Sequence, residues 1–158
     1  MPSDYLLEID GIKGESTDSK HQGQIDIESF SWGASNSGGH ATGGGGGTGK
    51  VSFQDVHFTT MVSKASPALM LHCANGKHIP KAVLFVRKQG EKQQEYYKVT
   101  MEDLLVSSYQ SGGGQGIPID QFSLNFSKIK FEYKPQKPDG TLDSAVSGGW
   151  DIKKNDKI

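Results

Sequence analysis

The chain has 158 residues, with 17 Lys/Arg against 18 Asp/Glu and a formal charge of −1 at pH 7. A chain of this length buries roughly 70% of its unfolded surface, enough for a core without metal or disulfide staples, and its single cysteine, Cys73, rules out an internal disulfide. The charge balance argues against nucleic acid as the main partner, because phosphate contacts need a basic excess on some face.

Almost every patterned segment has period two, the mark of half-buried strands. "DYLLEID" sets Tyr5, Leu7 and Ile9 on one face. "QIDIESFSW" places Ile25 and Ile27 on one face, then Phe30 and Trp32 on the other. "KVSFQDVHFT" runs Val51 and Phe53, then switches to Val56 and Phe58. "KASPALMLHCANGKH" breaks the pattern: Ser66 reads as N-cap, Pro67 as the first helical residue and Gly76 as the stop. Leu69, Met70 and Cys73 share its apolar face, and a helix is expected over about 66–75. "KAVLFVRK" is apolar on both faces, as a strand covered on both sides would be. "TMEDLL" reads as strand and turn, and "QFSLNFSKIKFEY" aligns Phe122, Leu124 and Phe126 before slipping to Ile129, Phe131 and Tyr133.

Three phase slips imply bulges, and bulges bend strands as a small barrel requires. The expected fold is mainly β: a small closed β-barrel of bent antiparallel strands with one flanking helix, in a single domain over 1–158. Segments 83–87 and 122–126 should lie in or near its wall. Glycine-rich stretches stand at 38–49, 112–116 and 148–149, and a flexible loop is expected over about 33–50. The end, about 153–158, reads as a polar, solvated tail.

"HATGGGGGTGKVS" carries the glycine–lysine frame of a phosphate loop. The frame fails physically. No buried strand precedes the glycines, Val51 has no hydroxyl for magnesium, and the residues after Lys50 alternate as a strand. The histidines at 21, 40, 57, 72 and 78 show no zinc spacing; Asp55 and His57 on one strand are a weak pair. No serine sits in a nucleophile elbow, and the acidic pairs Glu102-Asp103 and Glu15/Asp18 read as loop carboxylates. No catalytic residue, cofactor or metal is expected. Trp32, Tyr96, Tyr97 and Trp150 leave open a ligand groove, so a monomeric β-barrel module for carbohydrate or peptide stands as the alternative reading. The first thirty residues hold no basic region followed by an apolar run, so no Sec signal peptide is expected, and no segment approaches the about 18 apolar residues of a membrane helix.

Taken end to end, the chain resembles the hemolysin-coregulated protein (Hcp) family, the tube subunit of type VI secretion systems. The likeness rests on "LEIDGIKGESTDSKHQGQIDIESFSWG", "GKVSFQDVHFT", "KASPALMLHCANGKHIPKAVLFVRK", "YYKVTMEDLLVSSYQ", "FSLNFSKIKFEYKPQKPDGT" and "GGWDIKKN", in that order. The resemblance implies a non-enzymatic barrel that assembles as a hexameric ring. Such rings stack into a tube inside a contractile sheath, capped by a spike, and carry small effectors in the lumen. It implies export from the cytoplasm by a Sec-independent route, without insertion into a membrane, and with no fused effector domain after "GGW". The expected ring–ring contacts are two loops: Gly14, Glu15, Ser16, Thr17 and Asp18, and Thr48, Gly49 and Lys50.

Overall fold

The computed structural model describes residues 3–37, 50–89 and 93–158. In chain order these form β1 (Ser3–Ile9), β2 (Ile25–Ile27), β3 (Ser29–Ser31), β4 (Ala34–Asn36), β5 (Val51–Phe53), β6 (Val56–Met61), α1 (Ala65–Asn75), β7 (Ile79–Lys88), β8 (Glu95–Gly112), β9 (Ile119–Tyr133), β10 (Val146–Asp151) and β11 (Asp156–Lys157). The described residues are thus mainly β with one helix, as expected. Every ladder is antiparallel, in the order β11-β10-β9-β8-β7-β1-β2, with β6 on the first half of β9 and β3 on β6.

The barrel is not closed by a ladder. The chain turns a corner at Glu28: β2 pairs with β1, and β3 crosses to β6. Across that seam Thr60 donates its hydroxyl to the Asp26 carbonyl at 2.6 Å, and the Glu28 amide donates to the Thr59 carbonyl at 2.8 Å. Side-chain and corner bonds therefore hold the gap that strand pairing leaves.

The phase slips resolve in two ways. Those at Glu28 and at Gln54-Asp55 are breaks between strands, and β5 leaves the barrel to pair with β4. The third lies inside a continuous β9, whose register with β8 runs unbroken from Tyr97↔Tyr133 to Val106↔Leu124. There β9 exchanges β6 for β10 as its second neighbour, and the covered face changes with it. The bulges that do occur are in β8, at Ser107 against β9 and at Tyr96 against β7.

Helix α1 starts earlier than its sequence suggests. Lys64 is the N-cap and offers no side-chain cap, which puts Pro67 at the third helical position. Proline is tolerated there because the first four helical N–H groups have no intrahelical acceptor. Ser66 instead turns inward: its hydroxyl accepts from the Ser63 amide at 3.0 Å and donates to the buried Asp120 carboxylate. Gly76 ends the helix at φ 62°, as expected of a C-terminal glycine. The buried helical residues are Ala65, Ser66 and Leu69; Cys73 is half-buried and Met70, expected inside, is exposed. Met70 follows Leu69 by about 100° around the helix and so faces away from β8.

The core takes residues from β1, β2, β6, β7, β8 and β9, Phe30 of β3 and Phe53 of β5 pack against it half-buried, and α1 adds Ala65 and Leu69. Phe58 and Phe122, direct partners across β6 and β9, stack at 5.2 Å within it. Strand β7 is covered on both faces, with Leu84 and Val86 in the core and Val83 and Arg87 buried on the other side. Glu102-Asp103 is part of β8 and not of a loop; Asp103, at φ 53°, binds Lys153 at 2.6 Å and His78 at 2.8 Å. The polar end is exposed yet paired, through β11 and a bond from the Ile158 amide to the Gly149 carbonyl at 3.1 Å.

Candidate assembly surfaces

The segment between β1 and β2 folds back on itself. The Gly14 amide donates to the Gly23 carbonyl at 2.8 Å, Ser16 to Gln24 at 3.0 Å and Gly23 to Ser16 at 2.9 Å. Gly14 is required by proximity: a Cβ there would lie 2.5 Å from the Gln24 carbonyl oxygen and 2.7 Å from the Ile25 Cα. Both contacts are backbone, so Gly14→Ala is expected to lower stability by roughly 1–3 kcal/mol, the usual cost of overpacking. A shift in urea midpoint checks this. Gly148→Ala, where the added carbon meets nothing, is the neutral control.

Two side-chain pins fasten this loop to the sheet. Arg87 of β7 reaches out through the covered face and grips Asp18 with both terminal nitrogens, at 3.0 and 2.6 Å, while its Nε donates to Asp4 at 3.3 Å. The Arg87 guanidinium holds the Asp18 carboxyl at a pKa of about 2. Asp26 beside them is pushed up, first by burial and then by the Asp4 charge. The second pin is His21, which lies on Phe85 with ring centroids 4.8 Å apart and bonds Glu95 of β8 at 2.6 Å. A fixed loop is the result.

Of the residues expected to touch a neighbouring ring, Gly14 and Ser16 are buried, Glu15 and Thr17 are exposed, and Asp18 is half-buried against Arg87. Glu15 accepts from the Lys64 amide at 3.1 Å, placing a negative charge at the start of α1, where the helix dipole favours it. Lys50 is exposed and leads directly into β5, a strand and not the helix a phosphate loop needs. Thr48, Gly49 and most of the glycine run lie outside the described residues.

Sequence reasoning missed Arg87 and His21. The signal was present: a lone arginine closes the apolar run of "KAVLFVRK", where both faces are covered. Trp32, Tyr96, Tyr97 and Trp150 all pack against the core, and the Trp32 indole donates to the Tyr97 hydroxyl at 2.9 Å. Of the four aromatics, Tyr96 and Tyr97 also line shallow surface pockets beside Lys134. Asp55 accepts from Ser107 at 2.6 Å and from Asn125 at 2.8 Å. Among the described residues no three His, Cys, Asp or Glu side chains gather as metal ligands would, and no helix is long and apolar enough to cross a membrane.

Exposed apolar side chains collect toward both ends of β9. Met61, Ile117 and Ile119 lie at its start, where Met61 and Ile119 are ladder partners. Tyr133 and Val146, also ladder partners, lie at its end. Among the described residues no strand pairs with the outer edge of β10 from Val146 to Gly148.

The family model described as "Type VI secretion system effector, Hcp" matches residues 6–133. Protein hcp1 of Pseudomonas aeruginosa is 44% identical over 159 residues, covering 98% of each chain. Among solved structures, Hcp1 from Salmonella typhimurium is 34% identical with a TM-score of 0.82 over the whole of both chains. A structure of a type six secretion system protein is 28% identical with a TM-score of 0.91, covering 99% of this chain and 100% of its own. The chain belongs to the Hcp family of type VI secretion system proteins, which are structural components and not enzymes.

Proposed function

We propose that this chain is a secreted tube subunit that assembles as a ring of six and stacks ring on ring. The tube is propelled by a contractile sheath behind a spike and carries small effector proteins in its lumen. The chain leaves the cell by this Sec-independent route. The observation that carries the reading is the family likeness along nearly the whole chain.

The fold supports it physically. A ring needs a heterologous contact, in which two different patches of one subunit meet. Exposed apolar residues at the two ends of β9 supply two such patches. The open edge of β10 is a backbone surface that a neighbour would cover. For stacking, Glu15, Thr17 and Lys50 are the expected contacts that present side chains outward; Thr48 and Gly49, outside the described residues, remain part of the proposed contact. Gly14, Ser16 and Asp18 give that surface its shape.

Light scattering of the purified protein tests the assembly. A stable mass near six chains of 17.1 kDa each is expected. A strict monomer from micromolar to millimolar concentration would overturn it, and would favour a monomeric binding module.

A further inference from the structure

We infer that His21 is a proton-dependent latch, holding the β1–β2 loop to the sheet when its ring is doubly protonated and releasing it when that proton is lost. The argument starts from Gln24. Its side-chain Nε2 donates to Glu8 Oε2 at 3.4 Å, so its oxygen is the atom turned toward the histidine, 3.0 Å from Nδ1. Turning the amide over would set oxygen against the Glu8 carboxylate and forfeit that bond. Nδ1 must therefore carry a hydrogen. On the other side Nε2 lies 2.6 Å from Glu95 Oε1, a distance typical of a charge-assisted bond. With oxygen acceptors at both nitrogens, only a doubly protonated ring donates to both partners at once.

Its surroundings give that charge consequences. His21 is 4% exposed, so water cannot replace a lost partner. Phe85 of β7 lies against one side of the ring, and Lys98 of β8 stands 5.7 Å from the Phe85 centroid. The charged groups around the ring are Glu95 and Lys98 from β8, Glu8 from β1 through Gln24, Asp18 from its own loop, and Arg87 of β7, which binds Asp18. When the proton leaves, one nitrogen lone pair faces an oxygen lone pair in a buried site. The bond to Glu95, or the one to Gln24, becomes repulsive. The Arg87–Asp18 pair does not titrate in this range, because Asp18 is already ionised far below it. Release is therefore local. The turn carrying His21, Gly23 and Gln24 loosens while the stretch at Asp18 stays bound.

Two measurements test this on the intact protein. Nitrogen NMR of the imidazole is expected to show both ring nitrogens protonated near pH 6, and a single neutral Nδ1–H tautomer there would overturn the latch. Amide exchange, divided by the unstructured-peptide rate at each pH, should show Gly23 and Gln24 losing protection on the order of tenfold between about pH 6 and pH 9. The amides of β7 and β9 should not change. His21→Gln and Glu95→Gln are each expected to abolish that pH dependence, and its persistence in either would overturn the proposal. Glu95 is 38% exposed, so Glu95→Gln stays informative even if His21→Gln fails to fold.

Discussion

Phe122→Ala is expected to lower the unfolding free energy by about 3–5 kcal/mol, the range for truncating a buried phenylalanine. Phe122 is 1% exposed and stacks on Phe58, its direct partner on β6. The loss has two parts: the transfer free energy of the ring, and a cavity that a rigid ladder cannot close. Position adds a further consequence. Strand β6 is held to the barrel by β9 and β3, and the seam between β6 and β2 has no ladder of its own. Removing the stacked pair weakens the side of the barrel that strand pairing supports least. Urea unfolding followed by tryptophan fluorescence checks the magnitude. A loss below about 1.5 kcal/mol would mean that neighbouring side chains refill the site, contrary to the usual behaviour of such cores. Against a total of roughly 5–15 kcal/mol for an ordinary domain, the expected loss is a large fraction.

What the sequence disclosed depended on whether the governing interaction was local. Period-two alternation located β1, β6 and β9, and a run apolar on both faces located β7, because a strand's inward set is written into its own residues. The helix was found from Pro67 and Gly76, but its start was misplaced by the hydroxyl of Ser66. A serine before a proline looks like a cap until a buried partner is known, and that partner, Asp120, lies 54 positions away. The same limit applies to the phase slip in β9. A slip marks a change of covered face, and the residues alone do not say whether a bulge or a change of neighbour causes it. In the loop, the glycine of "DGIKGESTD" was noticed as part of a motif, whereas its close approach to Gln24 is a property of the folded backbone. Arg87 stands out by its place in an apolar run, but its partner, like that of His21, is hidden for a related reason. Each draws its meaning from an acid far along the chain, at separations of 69 and 74 residues.

Arg87→Ala is expected to cost about 2 kcal/mol at neutral pH, within the range for hydrogen bonds to charged groups. In a chain of this length that corresponds to a fall in Tm of roughly 4–8 °C. The side chain is 5% exposed, and its loss strands Asp18 and Asp4 beside Asp26 with no cation between them. The pH dependence identifies the cause. Asp18 has a folded pKa of about 2, below the ordinary carboxylate value, so its contribution is fully present above about pH 4 and disappears as pH falls toward 2. The gap between wild type and Arg87→Ala should therefore shrink across that interval when urea midpoints are compared at each pH. A gap that stays constant down to pH 2 would assign the effect of Arg87 to packing of its aliphatic stem. Asp103, also held at about 2 by Lys153, titrates over the same interval, but it is common to both proteins and cancels in the comparison. Acid thus protonates Asp18 and releases the arginine, so this pin on the loop is lost at low pH.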